Sequence, residues 1–239
     1  MDFSDRVVDR IRQFDERSRS FAAIDPEYQM PFRSYTWSCD TYNDQGYEGA
    51  CVGFAWSHEL TARPKVIPTD AEYALRIYRR ARQLDPWPGE DYSGTSVLAG
   101  VKAVQEIVNK YGKSLITEYR WAFGIQDVLR VIGFMGPVVL GIDWYENMYE
   151  PDARFFIRPT GEVVGGHAIL ANGVKIVKKN SALEADWDNV DLDKSFVRLH
   201  NSWGQGYGLG GDAFITVRDL DTLLKNGGEA CIPVVRSVA

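Results

Sequence analysis

Residues 44–55 read DQGYEGACVGFA, residues 165–174 read GGHAILANGV, and residues 199–215 read LHNSWGQGYGLGGDAFI. In the first stretch Gly46 and Gly49 bracket a tight turn, and the apolar run CVGFAWSHELTA that follows has helical length until Pro64 stops it. Cys51 therefore opens a helix, where its backbone amide has no intrahelical acceptor. In the other two stretches β-branched and apolar residues lie between glycine-rich turns, a pattern that predicts strands.

Outward from these blocks, Thr69 to Leu84 and Thr95 to Lys110 have helical composition, the second with a Thr/Ser cap, so the first half is mainly helical. From Gly136 the runs PVVLGID, FFIRP, GHAILANGVKIV, SFVRLHNSW and DAFITV predict strands. The chain is expected to be α+β, with an N-terminal amphipathic arm over 1–30, a mainly helical lobe over 31–125 and a mainly β lobe over 126–239. The arm has Val8, Ile11, Phe14 and Phe21 at roughly helical spacing among Asp and Arg, and is expected to dock on the body. The acidic stretch KKNSALEADWDNVDLDK, 178–194, reads as a solvated excursion between strands; its carboxylates lack metal-ligand spacing, and neither a metal nor a cofactor is expected.

Composition narrows the function classes. With 239 residues, 45% hydrophobic and 13% aromatic, the chain has ample material for a packed core. A formal net charge of -6 argues against a nucleic-acid partner. The N-terminus has no apolar signal-peptide core, and the longest apolar run, Val131 to Ile142, is too short to span a bilayer. Cys39, Cys51 and Cys231 form no CxxC pair or dense disulfide framework. A reducing, cytoplasmic or phage-associated setting is expected, with no membrane partner.

The reactive residues point to nucleophilic chemistry. A thiol is activated by a helix N-terminus and by a nearby imidazolium, and Cys51 has the first of these. Its free amide, together with the carboxamide of Gln45 on the same turn, makes a pair of donors for a tetrahedral oxyanion. Three histidines can supply the base. His58 lies seven residues along the Cys51 helix, about 10 Å away, and reads as structural or surface. His200 precedes Asn201 in a strand, so only one of those two can face a given site. His167, preceded by two glycines at the start of an apolar strand, remains.

Taken jointly and in order, the three blocks resemble the active-site blocks of the papain-like cysteine peptidases, and weaker similarity in YSGTSVLAGVKAV and GPVVLGID extends it over roughly Pro31 to Val217. The resemblance implies a two-lobed papain-like fold forming one catalytic unit, with Cys51 as nucleophile, His167 as base, Asn201 orienting the imidazole and Gln45 in the oxyanion hole. It implies that Trp203 covers the His–Asn pair and borders the substrate. Gly94, Gly141 and Gly165 would surround a wide specificity pocket, favouring a bulky apolar residue two positions before the cleaved bond. Glu48 stands where secreted relatives carry a disulfide cysteine, so that bridge is expected to be missing, as in bacterial and phage members. Val52 replaces the usual aromatic. The arm before Pro31 is too short for the family's inhibitory pro-segment and lacks its motif, so either there is none or it was removed. The implied partner is a protein or peptide substrate. Two other classes share these residues: a papain-shaped binding or structural module, and a transferase or ligase working through the same thioester.

Overall fold

The computed structural model describes residues 3–236 apart from 14, 26, 28, 29, 90, 109–111 and 182–184. Phe14 and Lys110, which entered the sequence expectations, lie outside the described residues. In chain order the elements are β1 (Tyr35–Thr36), α1 (Cys51–Thr61), α2 (Ala71–Leu84), α3 (Val97–Glu106), β2 (Ile116–Trp121), α4 (Ile125–Phe134), β3 (Val138–Tyr145), β4 (Val163–Lys175), β5 (Phe196–His200), β6 (Asp212–Thr216), α5 (Val217–Lys225) and β7 (Glu229–Arg236). The strands form one antiparallel sheet in the order β2-β7-β3-β4-β5-β6, with β1 added on β4. This is the α+β, two-lobed arrangement expected.

Local sequence accounts for the helices. Asp70 caps α2 by accepting from the Tyr73 amide, and Ser96 caps α3 by accepting from the Ala99 amide. The first helix, α1, is buried along its whole length, because α2, α3 and β4 cover it on several sides. Glycines make that possible: a Cβ on Gly53 would meet the Ala74 carbonyl and Tyr78, and one on Gly100 would meet Val52 and Trp56. We expect Gly53→Ala to lower stability by about 1–3 kcal/mol through overpacking, read as a fall of roughly 2–4 °C in melting temperature per kcal/mol.

Two apolar cores meet along β3 and β4. One gathers Cys51, Trp56, Val97, Leu98, Ala168, Leu170 and Cys231 around the helices; the other gathers Leu140, Ile142, Trp144, Trp203, Tyr207 and Leu220 around the sheet's other side. The groove follows their boundary.

The structure corrects several expectations. FFIRP is not a sheet strand: Phe155 turns at φ 66° with its amide donating to the Asp152 carbonyl, and only Phe156 makes a bridge, to Phe214. The arm is no amphipathic helix. Residues Phe3 to Gln13 run without helical structure, with isolated bridges from Asp9 to Gly166 and from Arg10 to Thr95, and a 3-10 turn follows at Glu16–Ser20. Its backbone finds its partners on other segments of the chain, so side-chain spacing carried no helical meaning there.

Candidate active site

The turn preceding α1 carries Gln45 and leads into Cys51; β4 brings Ala168, next to His167, to the Cys51 sulfur, and Ser202, next to Asn201, bonds Gln45. The Gln45 amide donates to the Ser202 carbonyl at 2.9 Å, and the Ser202 hydroxyl donates to Gln45 Oε1 at 2.6 Å, which ties the first block to the third. Gln45 Oε1 is therefore occupied, and Nε2 is the donor end, giving one hydrogen bond to the Glu48 carbonyl at 2.7 Å.

The imidazole tautomer follows from hydrogen-bond logic. Asn201 Oδ1 accepts from the Ser202 amide at 2.8 Å, which fixes it as the oxygen. His167 Nε2 lies 2.8 Å from that same oxygen and must donate to it. Neutral His167 thus carries its lone pair on Nδ1, which is buried without a hydrogen-bond partner and can take a proton. Trp144 and Trp203 flank the ring, with centroids at 4.7 and 5.1 Å, and shield the His–Asn bond from water.

The arm occupies this groove. The Val7 carbonyl accepts from Gln45 Nε2 at 3.2 Å, and the Cys51 sulfur takes backbone hydrogen bonds from Asp9 and Ala168. Phe3 stacks on Trp203 at 5.9 Å and meets Tyr207 edge-on, while Arg6 pairs with Asp44. Glycines border the path: a Cβ on Gly94, which sits at φ 84°, would collide with the Asp9 carbonyl, and one on Gly165 would collide with that of Val8. Gly141 lies beside the Arg10 guanidinium. All four residues expected at the substrate face, Gly94, Gly141, Gly165 and Trp203, thus border the arm. The arm, expected to dock on the body, docks on the site itself.

Closure changes the charges. Burial pushes the Cys51 thiol above its usual value and holds His167 down at about 4, burial outweighing the Asn201 bond. With the arm seated, thiol and imidazole are both neutral near neutral pH.

The other two histidines build a separate buried cluster. His200 Nδ1 is 2.9 Å from Asp212 Oδ1, and its Nε2 is 2.8 Å from the Thr41 carbonyl and 3.6 Å from Cys39 Sγ. Burial opposes its charge, but Asp212 and Cys39 raise it to about 10; the Cys39 thiol is lowered in turn, the His200 bond overcoming its burial. His58 is fully buried, accepts from the Asn43 amide at 3.2 Å and meets His200 edge-on. Its reading narrows to a structural one. We expect His200→Ala to cost about 3 kcal/mol of stability by leaving Asp212 with a poorer set of partners, while kcat per folded molecule stays unchanged. Thermal melting alongside peptide turnover separates the two effects.

Sequence reasoning missed Glu229 and Asp143, which stand beside the groove, and Arg10, which sits between them. The one signal for Glu229 was a lone carboxylate opening an apolar strand after two glycines.

No protein-family model matches the sequence, and no curated protein does. Solved structures do. The chain is similar to xylellain, a cysteine protease from Xylella fastidiosa, at 18% identity and TM-score 0.64, covering 97% of this chain and 96% of that one. It is similar to digestive procathepsin L 3 of Tenebrio molitor larval midgut at 13% identity and TM-score 0.64, covering 98% and 77%. It also resembles the bromelain protease from Ananas comosus in its complex with the E64 inhibitor, at 16% identity and TM-score 0.57, covering 85% and 99%. The fold is that of the papain-like cysteine proteases. Among the described residues, no helix is long and apolar enough to cross a membrane.

Proposed function

We propose that this chain is a cysteine peptidase that hydrolyses peptide bonds through a thioester on Cys51, and that its N-terminal arm covers the groove in the state described. Residues 1–30 are the covering arm, and 31–125 and 126–239 are the two lobes of one catalytic unit. The observation that carries this reading is the way the arm's backbone engages the site as a peptide ligand would: Val7 hands its carbonyl to Gln45 Nε2, and Asp9 meets the Cys51 sulfur.

In the reaction the Cys51 sulfur attacks the substrate carbonyl, with its proton passing to His167 Nδ1. The oxyanion that forms is held by Gln45 Nε2 and the Cys51 amide. His167 then gives the proton to the departing amine, the C–N bond breaks, and a thioester remains. Water, deprotonated by the same nitrogen, attacks the thioester, releasing a carboxylic acid and restoring the thiol. Asn201 keeps the imidazole in the tautomer that leaves Nδ1 free.

A fluorogenic peptide tests this directly: free acid product without added amine or thiol acceptor supports hydrolysis, and product only with an acceptor favours a transferase. A groove that binds peptides without turnover favours the binding module. Gln45→Ala is expected to cut kcat about 100-fold with little change in KM, because its donor is used most as charge develops on oxygen. A parallel fall in kcat and melting temperature would reassign Gln45 to folding.

A further inference from the structure

Arg10 is the arm's most deeply held charge. Its side chain has 0% exposure, with Nη1 3.5 Å from Glu229 Oε2 and Nη2 3.7 Å from Asp143 Oδ1. Its amide donates to the Gly166 carbonyl at 2.6 Å, and the next amide, of Ile11, donates to Thr95 at 2.9 Å, so both lobes grip the backbone at this point. The pocket beneath is built across the sheet. Gly141 on β3 pairs with Glu229 on β7, and a Cβ on Gly141 would lie 2.8 Å from Val97 Cγ2 and 3.1 Å from both Arg10 Nε and Glu229 Oε2. The missing side chain is therefore the room the guanidinium takes.

A carboxylate as buried as Glu229, with 15% of its side chain exposed, is costly without a cation, and burial drives it up to about 7 even with Arg10 beside it. An apolar occupant would leave that group unpaired. The arm itself fills the pocket imperfectly: Arg10 Nε and Nη2 are buried without hydrogen-bond partners, and Asp143 is shared with Arg12.

We propose that the Gly141–Glu229 pocket is a guanidinium site that selects substrates, so that the groove takes peptides with arginine at the residue next to the one acylating Cys51, two positions before the cleaved bond. Arg10 shows that a guanidinium fits there, although the arm runs opposite to such a substrate: Asp9, the residue at the sulfur, precedes Arg10 instead of following it. Glu229 is the specificity residue, with Asp143 in support. On this proposal arginine takes the place of the bulky apolar residue that the three glycines imply, because the glycines make room and the carboxylates decide the occupant. The proposal rests on the peptidase reading for its substrate but on the pocket alone for its binding preference.

The test uses the full chain carrying Arg10→Ala, which empties the pocket. Coumarin amides of acetyl-Arg-Gly and acetyl-Leu-Gly are compared as substrates, and the corresponding plain amides are titrated by calorimetry against the same chain with Cys51→Ala added. We expect the arginine peptide to lead by about 30-fold in kcat/KM, the scale of a charged hydrogen bond, and to bind more tightly by about 10-fold; Glu229→Gln should bring both ratios close to one. Hydrolysis that prefers leucine, or an arginine preference that survives Glu229→Gln, overturns the proposal and leaves the peptidase reading standing. Arginine-selective binding without hydrolysis of either peptide does the reverse. Binding of neither peptide overturns the pocket.

Discussion

Replacing Arg10 by glutamate is expected to raise the rate at which iodoacetamide alkylates Cys51 at about pH 6 by roughly 300-fold. The substitution removes the guanidinium that Glu229 and Asp143 share and sets an acidic side chain against them in a largely buried pocket, so the arm loses its anchor and should leave the site. With the arm seated, the sulfur is fully buried, its thiol is pushed up and the imidazole is held neutral, so little thiolate exists. Once water reaches the groove, the thiol can pass its proton to His167 and sit as a thiolate beside an imidazolium, at a helix start. An ordinary thiol with a pKa of ~8.5 is about 0.3% ionised at pH 6, whereas a His-paired one of the papain kind, at ~3 to 4, is almost wholly ionised, and the ratio gives the 300-fold. The milder Arg10→Ala should move in the same direction by less. If the glutamate variant melts cooperatively and Cys51 labels no faster than in the parent, the arm is not what silences the thiol.

Cys51→Ala, made in the Arg10→Glu chain, is expected to abolish peptide hydrolysis, a loss of about 10⁶ in kcat, the scale seen when a hydrolase loses its nucleophile. The sulfur forms the bond that defines the intermediate, and alanine has no atom to replace it. Folding should survive, since Cys51 lies in an apolar core where the change removes a single atom. Cys39→Ala and Cys231→Ala in the same background should retain turnover: Cys39 belongs to the His200–Asp212 cluster, and Cys231 is buried among the residues of β7. Residual hydrolysis above about 1% in the Cys51 variant, by steady-state assay on purified protein, would move the chemistry to another group.

The parts of this molecule that were legible in sequence are those fixed by neighbours along the chain. Glycines around Gln45 and Cys51 announce the turn and the helix start, the Thr/Ser pair at 95–96 announces α3 by its cap, and composition announces α2, whose Asp70 cap the structure adds. The alternation in β4 and β5 separates His200 from Asn201, and the two do go to different places, His200 to Asp212 and Asn201 to His167. What was hidden depends on partners far away in the chain. The arm reads as a short amphipathic helix until Gly166 and Thr95 supply backbone partners 156 and 84 residues distant (166 − 10 and 95 − 11). Strands β2 and β7 pair with each other across more than 100 residues, α5 lies in a stretch the β texture masked, and α4 lies between the helical and strand-like runs that were read. Glu229 belongs to the same class. Nothing near it in sequence tells that Gly141 will leave a space over its carboxylate, or that Arg10 will fill it.

The central claim is that Cys51 and His167 act as one ionised pair once the arm is lifted. The measurement that bears on it most directly is the pH dependence of Cys51 alkylation, mapped by mass spectrometry, in Arg10→Glu with and without His167→Ala. With His167 present, thiolate should already be abundant at about pH 5, and the rate should change little up to neutrality; without it the rate should climb only on approach to ~8.5, the ordinary thiol range. An identical profile in both chains, or labelling that falls first on Cys39, would contradict the pair and with it the peptidase mechanism.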